Sequence, residues 1–331
     1  MAVPLRRHHG AHLTLRLLIS IVALAAQAAF GQGYPAKPIH LIVPFPPGGP
    51  TDIVGRLVGQ KVSEGLGQPV IVENRPGAGG TVGSSAAAKA RPDGYTLLYG
   101  STSTLAIAPA LYHDLAYDPR SAFAPISLVS RGAIIAAINA QVPARTLQEF
   151  IALVKKTPGK LSYSSAGSGT PPHLAAELFK SIAGVDLLHV PYKGGAPAIN
   201  DLVGGQVQAI FEGEVVLLPH IKSGRVRALA ITGTKREAEL PDVPTFAEAG
   251  LPKYDAYFWS GLVAPAGTPA PVIEKLNSVL VQALNAPDAR EALKRQGLEP
   301  AGTTAEQFAE FIAGEVERWG RVARDSGAKL D

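Results

Sequence analysis

The sequence predicts an α/β fold whose sheets are largely parallel. Short apolar runs that are typical of buried strands recur along the chain, and segments with apolar residues at helical spacing lie between most of them. Alternation of this kind is typical of α/β proteins. Of the 331 residues, 46% are hydrophobic and 18% are charged. This balance excludes intrinsic disorder and a coiled coil.

The predicted elements follow one another from residue 39 onward. A strand over residues 39–43 precedes a helix over 52–66 and a second strand over 70–73. Further short apolar runs predict strands over residues 95–99, 133–139, 187–190, 207–211 and 227–231. The C-terminal part differs, because its patterns predict three successive helices over residues 271–284, 287–296 and 304–326. Thr304 and Gln307 have the spacing of a capping box, which predicts where the last helix begins.

Residues 1–31 have the pattern of a cleavable secretory signal. Arg6, Arg7 and Arg16 precede an apolar run over residues 17–30, which is shorter than the roughly 20 apolar residues of a membrane span. An uncleaved membrane anchor is the alternative, but the small residues at the end of the run favour cleavage after Ala28 or Gly31. The sequence therefore predicts export to the periplasm and a mature chain that does not span the membrane.

The charge balance argues against nucleic acid as a partner. The chain carries 31 Lys and Arg residues, 27 Asp and Glu residues, and a formal net charge of +4. Three of the arginines and none of the acids lie in residues 1–31, so the rest of the chain is nearly neutral and has no run of basic residues. The absence of cysteine excludes disulfides and thiolate metal sites, and the eight histidines are scattered, so no metal site is predicted.

Three loops that join a strand to a helix carry polar and glycine-rich segments. The first loop (residues 44–52) and the second loop (residues 165–170) contain glycines that free the backbone, and each precedes a predicted helix. The second loop adds the hydroxyl groups of Ser165, Ser168 and Thr170. The third loop (residues 189–196) supplies Tyr192. Because the free N–H groups of a helix start form an anion site, these loops predict a ligand with carboxylates or another multiply charged anion.

Each loop also has a purely structural interpretation, because Gly and Pro occur at strand-to-helix turns as plain connectors. Asp52 could act only as an N-cap, and His173 could be only an amphipathic residue on the first turn of its helix. Glu212 is more informative. It follows an apolar strand at the end where α/β sheets bind ligands, which favours a ligand contact over a solvated charge.

Enzyme motifs are mostly absent from the sequence. It contains no phosphate-binding P-loop and no H-E-x-x-H zinc motif, and no cofactor is predicted. The enzymatic alternative is a serine hydrolase with Ser165 or Ser168 as nucleophile and His173 as base. Ala166 breaks the nucleophile-elbow pattern at this place, so the sequence favours a binding protein over an enzyme.

Four long motifs follow one another in the chain. They are Val43-Pro44-Phe45-Pro46-Pro47-Gly48-Gly49, Gly67-Gln68-Pro69-Val70-Ile71-Val72-Glu73-Asn74-Arg75-Pro76-Gly77, Ser165-Ala166-Gly167-Ser168-Gly169, and His189-Val190-Pro191-Tyr192-Lys193-Gly194. They resemble motifs of the Bug (TctC-like) extracytoplasmic solute receptors. The resemblance extends over residues 34–331, and motifs of this length rarely coincide by chance.

The resemblance implies a two-lobed periplasmic-binding-protein fold of type II, the Venus-flytrap arrangement, with mostly parallel sheets flanked by helices. It also implies that the chain crosses twice between the lobes, so that lobe 1 holds residues 34–135 and 255–331 and lobe 2 holds residues 136–254. Receptors of this family bind a carboxylate between the lobes and deliver it to tripartite tricarboxylate transporters. The implied partners are a small carboxylate and the membrane subunits of such a transporter.

By the same resemblance, the first and second loops face each other across the cleft. The predicted ligand-binding residues are Phe45, Gly48, Gly49, Thr51, Asp52, Ser101, Thr102, Ser165, Gly167, Ser168, Gly169, Thr170, His173, Tyr192 and Glu212. The chain departs from the family at Phe211-Glu212, where most members have Phe-Asp. The longer acid is expected to shrink the pocket or to contact a different ligand group. The alternative to transport is a receptor that presents its ligand to a sensor kinase.

Overall fold

The structure, a computed structural model, describes residues 33–328, so the predicted signal over residues 1–31 lies outside the described residues. The architecture is α/β, as the sequence predicts. The strands of the described part are β1 (Ile39–Val43), β2 (Val70–Asn74), β3 (Thr96–Ser101), β4 (Phe123–Asn139), β5 (Ser162–Ser165), β6 (Leu188–Pro191), β7 (Ala209–Gly213), β8 (Val226–Ile231), β9 (Tyr257–Pro265) and β10 (Leu298–Pro300). The helices are α1 (Pro50–Leu66), α2 (Thr81–Ala88), α3 (Ala108–Leu111), α4 (Leu147–Lys156), α5 (Pro171–Ala183), α6 (Gly195–Val203), α7 (Glu214–Lys222), α8 (Ala270–Leu284), α9 (Pro287–Lys294) and α10 (Ala305–Ser326).

The strands form two sets that share β4. In the first set, β1 lies between β2 and β3 and is parallel to both, while β9 pairs antiparallel with β3 and β4. In the second set, β5 lies between β6 and β7 and is parallel to both, while β7 and β8 pair antiparallel with β4. Ala133 is opposite Tyr257 of β9, and the next residue, Ile134, is opposite Gly213 of β7. The two sets therefore meet between residues 133 and 134.

Most of the predicted elements are present with shifted ends. The strand predicted over residues 133–139 is the second part of β4, which begins ten residues earlier, at Phe123. β9 was not predicted, because Ser260 and Gly261 interrupt its apolar run, yet it connects β3 to β4. The predicted capping box is confirmed, since the Gln307 N–H donates to Thr304 Oγ1 and the Thr304 N–H donates to the Gln307 side chain. Within residues 33–328, no helix is both long and apolar enough to cross a bilayer.

Helix α1 packs closely against β1. Because the first loop joins these two elements, their packing fixes its position. Val54 and Val58 of α1 are buried against Leu41 and Val43 of β1. Gly55 lies between them, and a methyl group at this position would come within 2.7 Å of the Val43 side chain. Only a residue without Cβ allows this approach, so the glycine sets the distance between the helix and β1.

Helix α10 is anchored to the first strand set by a buried carboxylate. Glu315 is 3% exposed. It accepts hydrogen bonds from the indole N–H of Trp259 at 2.8 Å and of Trp319 at 3.0 Å. It also pairs with Arg318 at 3.0 Å. Since Trp259 belongs to β9, the carboxylate joins the C-terminal helix to the strand that connects β3 and β4.

Replacing Glu315 with Ala should destabilise the protein strongly. The two indole N–H groups would lose their acceptor, and each buried donor left unpaired costs about 1–3 kcal/mol, so the free energy of unfolding should fall by about 2–4 kcal/mol. Glu315→Gln keeps one acceptor oxygen and should lose less. Urea denaturation followed by circular dichroism measures the change. Glu310→Ala, at an exposed position of the same helix, is the control, and equal losses in both Ala variants would contradict the anchoring role.

Candidate ligand-binding cleft

The first loop is held in shape by the buried carboxylate of Asp52. Its Oδ2 accepts hydrogen bonds from the Gly48 N–H at 2.9 Å and from Arg56 Nε at 2.9 Å, and its Oδ1 accepts from Asn74 Nδ2 at 2.8 Å. Burial raises the pKa of Asp52, but these hydrogen bonds and the Arg56 charge outweigh it and lower the pKa to about 2. Gly49, and not Asp52, is the N-cap residue of α1. Asp52 is therefore ionised at neutral pH and fastens the loop to the helix.

The second loop is fastened to helix α5 in the same manner. The Gly169 N–H donates to Nδ1 of His173 at 2.9 Å. Gly169 has a φ of 74°, in the left-handed region that favours glycine. At the start of the loop, Ser165 Oγ lies 2.7 Å from His189 Nε2 and accepts a hydrogen bond from the Gly167 N–H at 3.2 Å. One histidine from α5 and one from β6 thus hold the two ends of the loop.

Two histidine rings and a tyrosine ring stack beside the second loop. The ring centroids of His173 and His189 are 4.0 Å apart with an interplanar angle of 7°, and the Tyr163 ring lies 4.9 Å from His189. The Tyr163 hydroxyl donates to Glu177 at 2.5 Å. Burial lowers the pKa of both histidines to about 4, helped by the Lys180 charge at His173 and by the adjacent imidazole at His189. Both rings are neutral at neutral pH and stack without charge repulsion.

A cavity of about 360 Å³ lies where the two strand sets meet. Its lining includes Pro50 and Thr51 from the first turn of α1, and Pro171 and Pro172 from the first turn of α5. Proline has no N–H, so the first-turn N–H groups without an acceptor in the helix are those of Thr51 and Asp52 in α1 and of His173 in α5. The helix dipole also attracts anions to this end. Two helix starts, one beside each strand set, therefore line the same cavity.

Four hydroxyl groups from the first strand set also line the cavity. The Tyr99 hydroxyl lies 2.6 Å from Ser260 Oγ, which in turn lies 2.9 Å from Ser130 Oγ. Ser101 Oγ is buried and has no hydrogen-bond partner among the described residues. Leaving a buried polar atom unpaired costs about 1–3 kcal/mol. The Ser101 hydroxyl is therefore free to form a further hydrogen bond.

Glu212 lines the cavity from the second strand set. Its Oε1 accepts a hydrogen bond from the Gly213 N–H at 2.8 Å. Burial raises the pKa of Glu212 to about 7, and only this hydrogen bond acts in the opposite direction. No charged group of the described chain contributes to the shift. The carboxyl group is therefore partly protonated at neutral pH and has no counter-ion.

The structure divides the predicted ligand-binding residues into three groups. Those that line the cavity are Phe45, Thr51, Ser101, Thr102 and Glu212. Those that form hydrogen bonds within or beside the two loops are Gly48, Asp52, Ser165, Gly167, Gly169, Thr170 and His173. Of the remaining three, Gly49 caps α1, Ser168 is exposed, and the Tyr192 hydroxyl donates to Asp201 at 2.6 Å. Contact of any of these residues with a solute stays a prediction.

The sequence analysis missed the residues that support the loops from behind. They are Arg56, Asn74, Tyr163, Glu177 and His189. Most of them reach the loops from other elements, so no local pattern marks them. The one local signal was the four-residue spacing from Gly48 to Asp52 and from Gly169 to His173.

The geometry does not support the serine hydrolase. His173 Nδ1 accepts the Gly169 N–H, and it is His189 that lies beside Ser165. Ser165 is 0% exposed, so a substrate has no access to its hydroxyl. Within the part of the chain that the structure describes, no three His, Asp or Glu residues are grouped where they could hold a metal ion.

Comparisons with known proteins agree on one family. The profile of the tripartite tricarboxylate transporter family receptor, TctC, matches residues 54–328. Protein BugT of Bordetella pertussis is 40% identical over 315 residues, which cover 95% of this chain and 96% of that protein. A Rhodopseudomonas palustris protein solved with adipate has a TM-score of 0.76 at 33% identity and covers 90% of this chain and 100% of its own. MatC of the same organism, solved with malate, has a TM-score of 0.73 at 36% identity, and the match covers 87% of this chain and 99% of MatC.

The stacked histidines should make stability depend on pH. The pKa of each is about 6.5 in an unfolded chain and about 4 in the fold. The unfolded chain therefore binds more protons between these values, and the free energy of unfolding falls as the pH drops from 6.5 to 4. In His173→Asn, the Asn oxygen can still accept the Gly169 N–H, but one titrating ring is gone.

Melting temperatures measured by scanning calorimetry from pH 7 to pH 4.5 test this expectation. As the pH decreases, the melting temperature of His173→Asn should fall less than that of the wild type, by a few degrees. His113→Asn, at an exposed position, should follow the wild type. If the melting temperatures of the wild type and His173→Asn fall in parallel with pH, the pKa of the stacked histidines does not change on folding.

Proposed function

Since the chain belongs to the tripartite tricarboxylate transporter receptor family, we propose that it binds a small organic carboxylate between two lobes and delivers it to the membrane subunits of such a transporter. Members of this family are solute receptors and not enzymes. The observation that carries the proposal is the single cavity lined by the first turns of both α1 and α5. Two helix starts that converge from different strand sets suit the negative charge of a carboxylate.

The relatives with bound solutes support a carboxylate as the ligand. One structural neighbour carries adipate and another carries malate. Both solutes are small organic acids, and both proteins share the fold of this chain over most of its length. In the present chain, the solute carboxylate would lie between the helix starts, where the Thr51 N–H, the Ser101 hydroxyl and the Ser168 N–H of the second loop would be its hydrogen-bond donors. The Gly167 and Gly169 N–H groups are already held by Ser165 and His173.

The proposed lobes are residues 34–135 with 255–331 and residues 136–254. The partner change of β4 between residues 133 and 134 supports one crossing. The return of the chain between β8 and β9 supports the other. Two crossing segments allow a hinge motion, and closure over the solute would exclude water from the cavity. The closed form would then be the one that the membrane subunits recognise.

The proposed location is the periplasm, with residues 1–31 as the export signal. The family assignment supports this location, and the Arg residues that precede a short apolar run support the signal. N-terminal sequencing of the protein secreted by a Gram-negative host would test both. A mature start near residue 29 or 32 is expected, and a membrane-bound protein that retains residue 1 would contradict the signal.

A thermal-shift screen of ligand-stripped protein against mono-, di- and tricarboxylates tests the binding function. A solute present at about a hundred times its dissociation constant adds about 2.7 kcal/mol to the free energy of unfolding and raises the melting temperature by several degrees. Uptake of the same acid by cells with and without the receptor tests delivery. If no carboxylate changes the melting temperature, the binding function is wrong. If uptake does not depend on the receptor, the transport role is wrong.

Gly169→Ala should weaken carboxylate binding by about tenfold or more. Ala is strained at the positive φ of this residue, and relief of the strain would displace the N–H that His173 now holds. Gly184→Ala is the matched control, because Gly184 follows the same helix with a φ of 61° and has open space around it.

Both substitutions should reduce the free energy of unfolding by about 1 kcal/mol. Only Gly169→Ala should change the dissociation constant, measured by isothermal titration calorimetry. Equal affinities in the two variants would remove the second loop from the proposed site.

A further inference from the structure

The charged side chains that line the cavity all carry the same sign. Among the described residues of the lining, Glu212 and Glu214 are acidic, and there is no Lys, Arg or His. The only other titratable group is the Tyr99 hydroxyl, which is held by Ser260. The side of the cavity formed by β7 and the start of α7 is therefore acidic, and no basic residue of the described lining pairs with it.

Glu212 is the acid whose position is best defined. It lies at the end of β7, in register with the apolar Ile135 of β4, and its carboxyl group receives one hydrogen bond, from the Gly213 N–H. Glu214 follows at the start of α7, and its pKa is also raised by burial and by the charges of Glu237 and Glu239, which outweigh the opposing charges of Lys222 and Lys294. The two carboxyl groups would repel a second solute carboxylate and attract a cation.

Aromatic residues also line the cavity. Phe258 of β9 lies beside the end of β7, since a methyl group at Gly213 would be 3.6 Å from its ring. Phe45 and Tyr99 line the cavity from the side of the first strand set. Faces of aromatic rings attract cations, and the attraction grows in a desolvated site. An acid without a counter-ion, close to an aromatic ring, favours a cationic group of a bound molecule.

We propose that the solute is an amino carboxylate, and that its ammonium group binds Glu212 while its carboxylate lies between the starts of α1 and α5. The proposal rests on the carboxylate function proposed above and narrows the class of solute. Glu212 would then be the residue that selects solutes with an ammonium group over simple carboxylates and dicarboxylates.

Proton balance provides an independent signature of this pairing. The carboxyl group of Glu212, with a pKa of about 7 in the free protein, is about half protonated at pH 7. Pairing with an ammonium ion favours the carboxylate form, so the bound proton is released to the solvent. A solute with a second carboxylate at this place would instead favour the protonated form and take up a proton.

Calorimetric titration with three matched probes tests the proposal. The probes are 5-aminopentanoate, hexanoate and adipate, together with the shorter homologues of each. They share a carboxylate and a methylene chain, and their other ends are an ammonium, a methyl and a carboxylate group. The wild type should bind the amino acid of the best length at least about tenfold more tightly than its methyl and carboxylate counterparts. Titrations in two buffers of different ionisation enthalpy should show that the amino acid releases a fraction of a proton at pH 7.

Two variants test whether the preference for the amino probe and the proton release depend on Glu212. Glu212→Gln should bind the amino and methyl probes with similar affinity and should release no proton. Glu310→Gln removes the same charge from an exposed position outside the lining, and it should keep the wild-type preference and proton release.

The outcomes separate this proposal from the proposed function. Equal or tighter binding of hexanoate or adipate by the wild type, or an amino preference that persists in Glu212→Gln, overturns the role of Glu212 and leaves the carboxylate function intact. If none of the probes and no acid of the wider panel binds, the carboxylate function itself is wrong.

Discussion

Strand β4 is shared by both strand sets, and the cleft depends on this sharing. Over residues 123–133 its partners are β9 and β10, and from Ile134 onward its partners are β7 and β8. Ser130, Gly132 and Ala133 line the cavity just before the partners change. Because the partners change there, the two sets are joined through β4, and the cavity lies beside this junction. The starts of α1 and α5 approach this junction from opposite sides, since α1 follows β1, three places from β4 in the strand order, and α5 follows β5, two places from β4 on the other side.

The two glycine loops are built on one plan with different chemistry. In each, the N–H of a glycine with positive φ donates to a side chain four residues later in the first turn of the following helix. The acceptor is an ionised carboxylate in Asp52 and a neutral imidazole in His173. The first loop therefore carries a fixed negative charge that is neutralised by Arg56, whereas the second carries none. Both arrangements occupy the glycine N–H and fix the loop before any solute binds, which reduces the entropy that binding must overcome.

The polar groups of the cavity are distributed unevenly between its two sides. The first strand set supplies neutral hydroxyl groups, of which Ser101 has no partner within the described chain, and the second supplies the acids Glu212 and Glu214. A carboxylate is compatible with helix starts and hydroxyl groups, and it is incompatible with an acid that has no counter-ion. This asymmetry would orient a solute with two different ends, and under the proposal above Glu212, near the end of β7, would determine which of them is accepted.

The sequence by itself determined the α/β class, the strand-to-helix loops and the family. Each of these depends on a local pattern: apolar runs of strand length, glycines before a helix start, and ordered motifs over most of the chain. It also identified Phe45, Thr51, Ser101, Thr102 and Glu212, which line the cavity. Local patterns fail for β9, whose apolar run is interrupted by Ser260 and Gly261. The two residues serve tertiary contacts, since Ser260 Oγ pairs with Tyr99 and Ser130 and a side chain at Gly261 would clash with the Phe308 ring.

Only the tertiary structure decided how the loops are supported and what charge the cavity has. The stack of Tyr163, His173 and His189 joins residues from β5, α5 and β6, and no spacing along the chain predicts that their rings meet. The missing counter-ion of Glu212 is likewise a property of its neighbours in space, since the sequence contains basic residues throughout but none of those described lines the cavity. Burial and the distance between side chains set the pKa of each group, and both depend on the packing of distant segments.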